Sequence, residues 1–197
     1  MEPIQEIKAE HGANTAVILT NWMDTQDQIR SKGLEPGPYA DRLEPEQRLS
    51  ALQDQALEKA KVAHERTRRD YLAEVDRFEE RVHARRQELR AKNFFVESTE
   101  AVAAALGADD AALLDMRQTS ELTGNEELGK AAFVAAHRRG LGNIVNSYLE
   151  ANPETRGAYE EWHELPDEAA LQKKREAVDQ LVEMPGVDRL MPRATVG

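Results

Sequence analysis

From Glu46 to Asn93 the chain runs through about 48 consecutive residues without a glycine or a proline. At about 1.5 Å rise per residue such a stretch spans on the order of 70 Å as a helix, more than twice the width of a small domain. A chain that contains it needs other elements laid along that helix. Pro45 suits the first helical turn, where the missing N–H costs nothing.

The side of this helix that needs covering can be read from spacing. Leu49, Leu52, Ala56, Ala60, Ala63 and Thr67 lead into Tyr71, Val75, Phe78, Val82 and Leu89, with Arg85 in the one missing place. From Tyr71 onward the steps alternate between four and three, the heptad seam of a helix packed lengthwise against another. The seam residues Tyr71, Val75, Phe78, Val82 and Leu89 are expected to face a partner, within the chain or in a second copy. The alanine-rich first half buries little area at about 25 cal/mol per Å² and is expected to need neighbours on more than one side.

Flanking segments complete an all-α reading. Asn14 to Arg30 has Val17, Ile18, Trp22 and Ile29 at helical spacing, and "GLEPGPYADRLEP" reads as a hinge. Beyond Asn93, caps and breakers recur every ten to twenty residues. Ser98/Thr99, Asp109/Asp110, Thr123 or Asn125, Gly142, Pro153 and Pro166-Asp167 start short helices, and nothing alternates with period two long enough to be a strand. The expected organisation is an N-terminal helix (1–33), a hinge (34–45), a long packing helix (about 46–93), a compact cluster of short helices (94–184) and an extended tail (185–197). Trp22 and Trp162 are the expected anchors of packing in a chain with only 5% aromatics. Phe94-Phe95-Val96 is expected to be buried, and the tail "MPRATVG" to pack on a neighbour.

Charge bounds the partners. The net charge of -11 and a pI near 5.0 oppose non-specific binding to nucleic acid or an anionic membrane. Residues 58–92 are an exception, with a local excess of about three positive charges on a chain otherwise strongly acidic. Arg77, Arg81 and Arg85 stand at i, i+4, i+8, and with Arg86 and Arg90 they are candidate contacts for phosphate or for an acidic partner surface. Pairs such as Glu74/Arg77 and Glu88/Lys92 give the competing reading of a solvated face.

Chemistry is sparse. There is no cysteine, hence no disulfide and no thiolate site, which fits a reducing compartment. The N-terminus lacks a signal-peptide core and no 18-residue apolar run exists, so a cytoplasmic location or incorporation into an assembly is expected. Glu80/His83 and Glu160/His163 repeat the Glu-x-x-His spacing of di-iron bundles, but at this glutamate content chance supplies about one such pair, and arginines flank His83. "HRRGLGN" (137–143) is a weak anion cradle, better read as a glycine stop followed by a helix capped by Asn143. No nucleophile elbow or metalloprotease motif is present.

These observations lead to an expectation: a non-enzymatic, cofactor-free helical structural or interaction protein, assembling with itself or with other subunits. In style the architecture is similar to small helical components of large assemblies, such as the connector or adaptor proteins of tailed-phage virions, although no motif carries that likeness. A helical nucleic-acid-associated regulator using the arginine stripe is the alternative.

Overall fold

The computed structural model describes residues 3–31, 42, 44–93, 96 and 99–186, which form nine helical segments and no strand. These are α1 (Ile4–Ser31), α2 (Pro45–Asn93), α3 (Thr99–Gly107), α4 (Asp110–Thr123), α5 (Glu126–Arg139), α6 (Gly142–Ala151), α7 (Pro153–Glu164), α8 (Glu168–Glu176) and α9 (Val178–Leu181). The all-α class and the long helix stand as read from the sequence. Most of the expected hinge and tail lies outside the described residues, as do Phe94 and Phe95.

Three local differences have physical causes. The first helix fills most of the expected segment 1–33 and takes in residues ahead of the Asn14–Arg30 pattern, because Ile4, Ile7 and His11 are buried and their packing outweighs the helix cost of Gly12. Asn143 does not cap α6: its N-cap is Leu141, whose carbonyl accepts from Ile144 and Val145 without side-chain help. The last expected helix is interrupted at Ala177, giving α8 and the single turn α9. Elsewhere the signals hold. Asp109, Asn125 and Asp167 accept from the amides of Ala112, Leu128 and Ala170, and Gly124 and Gly140 end α4 and α5 at φ 69° and 73°, where a side chain would be strained.

The chain divides into two compact units, Gln5–Arg81 with Pro166–Gly197 and Met1–Ile4 with Val82–Leu165. Residues 166–186, grouped by sequence with the short helices, thus belong with the first part of α2.

In the first of these units α1 lies along α2, and α8–α9 close a further side. Trp22, Tyr71, Val75, Val178 and Val182 form one core, with Ile29, Ala56 and Ala60 forming a second against Leu52 and Met184. In the alanine half of α2, Ala56 and Ala60 are thus covered by Ile29 of α1 and by Met184. Phe78 stacks on His11 at 4.3 Å between ring centroids and carries the Lys174 ammonium 5.2 Å over its ring. Ion pairs fasten the edges: Arg175 to Glu79 and Asp76, Arg68 to Asp179, Arg81 to Glu10.

The other unit is built around α5, whose Gly129 and Ala131–Ala136 are all buried. Phe133 is its largest enclosed side chain, stacked on Tyr148 and edge-on to Tyr159. Val82 and Leu89 of α2 belong to this unit and are buried. Arg85, the polar member of the seam, is held by Glu161 and Glu88.

Candidate functional site

Each seam residue, Tyr71, Val75, Phe78, Val82 and Leu89, is covered by a single copy of the chain. The recurring spacing therefore describes packing inside the protein, and a surface for partners has to be sought elsewhere.

The arginine stripe is largely spent as well. Arg77 pairs with Glu74 and Arg81 with Glu10, while Arg85 is mostly buried in its fork with Glu161. Arg86 also has partners. Only Arg90 of that group is exposed without an ion pair among the described residues.

Arg90 borders a groove of about 640 Å³. Its wall on α2 is Gln87, Arg90 and Ala91, and its wall on α5 is Val134, His137 and Arg138. Each is an i, i+3, i+4 set that shares one helix face. Val96, Val102 of α3 and Trp162 of α7 complete the lining. The floor is apolar and aromatic, and two guanidinium groups stand at the rim. Arg138, like Arg90, is exposed and has no ion pair among the described residues.

The adjacent residue shows how differently two neighbouring arginines can be used. Arg139 donates to the carbonyls of Ala108 and Leu106 at 2.7 and 2.8 Å, satisfying groups at the end of α3. Arg138, one position earlier, turns to the groove. The amides of Gly140, Leu141 and Gly142 are bonded to the carbonyls of His137, Ala136 and Gly140, so the 137–143 turn closes a helix end and offers no ready anion cradle.

His137 connects the groove to an aromatic cluster. Its Nδ1 lies 3.3 Å from the Tyr159 hydroxyl, and its ring meets Tyr159 and His163 edge-on at 5.5 and 6.1 Å. Burial, and then the charges of His163 and Arg138, lower its pKa from the usual histidine value, so it is neutral near pH 7. Positive charge at the groove thus sits on the rim arginines and not on its floor.

Trp162, expected as an anchor of packing or of an interface, is half-buried and lines this groove; Trp22 is buried in its core. Among the described residues no three His, Asp or Glu side chains are gathered as a metal site would require, and neither Glu-x-x-His pair forms one. No helix of the described residues is long and apolar enough to cross a membrane.

The groove was not legible in the sequence beyond Arg90 and Trp162, because its lining comes from four helices far apart in the chain. No protein-family model, curated protein or solved structure significantly matches this chain.

Proposed function

We propose that this chain is a non-enzymatic helical interaction protein, a subunit of a larger assembly, which docks an acidic, partly apolar segment in the groove between α2, α3, α5 and α7. The observation that carries the reading is the pair of arginines without ion-pair partners among the described residues, Arg90 and Arg138, over a floor of Trp162, Val102 and Val134. An apolar pocket with a half-exposed tryptophan and arginines at its edge has the composition of a binding hot spot. A virion connector or adaptor is one example of such an assembly, a comparison that rests on the helical architecture. The phosphate-binding alternative gains no support from a stripe whose Arg77, Arg81 and Arg85 are already paired.

The test is fluorescence anisotropy of a labelled Glu- and Leu-rich amphipathic peptide of about 15 residues, with duplex DNA as the competing probe. Peptide binding that weakens at least about tenfold in Arg138→Glu and Trp162→Ala, equivalent to about 1.4 kcal/mol, supports the reading. Absence of peptide binding, or binding indifferent to both substitutions, overturns it.

A further inference from the structure

A second pocket lies toward the N-terminal end of α5, and its walls hold polar groups that the fold leaves unused. It has a volume of about 470 Å³ and is bordered by Arg117 and Ser120 of α4, Glu126 and Lys130 of α5, Tyr148 of α6 and Thr155 of α7. Arg117 is only 2% exposed. Its Nη2 donates to the Glu121 carboxylate at 2.5 Å and to the Ser147 carbonyl at 3.1 Å, and its guanidinium rests over the Tyr148 ring. Those bonds leave Nε and Nη1 without an acceptor among the described residues; Nε is enclosed, whereas Nη1 is not. Ser120, one turn further along α4 and 9% exposed, is in the same position, since its hydroxyl has no hydrogen-bond partner among the described residues. Buried polar groups without partners are rare in folded proteins, and two of them on one pocket call for an acceptor from outside the chain.

The charges decide what carries that acceptor. Glu121 already neutralises Arg117, so the guanidinium needs an oxygen and no further negative charge. Around the pocket three carboxylates, of Glu121, Glu126 and Glu127, stand against two cations, Arg117 and Lys130. A bound carboxylate or phosphate would add to that excess, whereas an ammonium group would balance it. Glu126 is the group such a cation meets, because it is exposed and has no ion pair among the described residues. We infer that this pocket binds a small polyhydroxylated amine of the amino-sugar class, with hydroxyl oxygens on Arg117 Nη1 and Ser120 Oγ and the ammonium on Glu126. The volume lies within the range of small-molecule sites.

Titration of the full chain with glucosamine to about 50 mM, at about pH 6 where the amine is protonated, followed by two-dimensional amide NMR, tests this. Saturable shifts are expected at the amides of Gly124, Lys130 and Thr155, which border the pocket. Glucose lacks the ammonium and glycine lacks the hydroxyls, so each should require at least about tenfold higher concentration. Glu126→Gln changes an exposed side chain and should weaken glucosamine binding at least about tenfold, and Ser120→Ala should weaken it about fivefold. The same spectra show that each variant is folded. Absence of saturable shifts at these amides, glucose or glycine binding as tightly as glucosamine, or binding unchanged in either variant overturns the inference.

Discussion

Arg85 and Glu161 meet as two parallel forks: the Arg85 Nε donates to Oε1 at 2.8 Å and Nη2 donates to Oε2 at 2.6 Å. The two side chains are 14% and 17% exposed, and the Ile4 amide donates to the same carboxylate. Arg85 thus keeps its place on a hydrophobic seam because its charge is met on arrival.

Removing that acceptor leaves a largely buried guanidinium dependent on Glu88 alone. Glu161→Ala is expected to cost about 2–4 kcal/mol in urea unfolding, with Glu161→Gln costing less because it keeps an acceptor. The Glu161 pKa is lowered, first by its hydrogen bond from Arg85. Its contribution is therefore complete above the ordinary carboxylate value of about 4.5 and disappears as pH falls through the lower folded value. Acid unfolding in Glu161→Gln should show a correspondingly shallower pH dependence.

His11 has the opposite consequence for pH because it is a base. Burial, and then Lys174, lower its pKa despite the hydrogen bond to Glu74, so the fold favours the neutral ring stacked on Phe78. The unfolded chain then takes up the proton first. Stability from this residue is complete above about pH 6.5 and is lost as pH falls from there through the lower folded value. An NMR titration should place the His11 midpoint below 6.5, and a midpoint above it would refute the sign argued here.

Val75 distinguishes packing within the chain from packing between chains. It is fully buried in the core shared with Trp22 and Val178. Val75→Ala should cost about 2 kcal/mol and Val75→Glu about 4 kcal/mol or more, with loss of helical signal at every protein concentration. A Val75→Glu variant that remained folded and merely changed its oligomeric mass would contradict this.

Gly129 lets α4 and α5 approach closely: a Cβ there would lie 2.3 Å from the Ser120 hydroxyl oxygen. Alanine improves helix propensity by about 1 kcal/mol, but the clash should exceed that gain and leave Gly129→Ala destabilised by about 1–2 kcal/mol. Adding Ser120→Ala removes the nearest atom and should restore more than half of the loss in thermal unfolding, a non-additivity that marks the two positions as touching.

What could be read from the sequence was whatever repeats locally. The step from Tyr71 to Val75 to Phe78 fixes which side of α2 is buried, and Asp109, Asn125 and Asp167 announce helix starts because each accepts from an amide three residues on. Spacing could not say whether the covering helix comes from the same chain. Nor could it separate Arg138 from Arg139, since one faces a groove and the other faces carbonyls of α3 only after α3 and α5 have packed. Arg85 looked like a gap in the seam and a member of a basic stripe; its partner, Glu161, lies 76 positions away.

The small residues of α5 reverse the usual relation between burial and mutational risk. Ala131, Ala132, Ala135 and Ala136 are enclosed, yet each has only a methyl group to lose. A scan that trims side chains would find little at these sites and would pass over the centre of the unit. Enlargement is the revealing perturbation: one added ethyl or isopropyl group has no free space to enter, because neighbours press on the backbone from several sides. The same enclosure shields the amides, so in native-state hydrogen exchange the protons of residues 131–136 should be among the last of this unit to leave, released only when α3, α4 and α6 separate from the helix they surround.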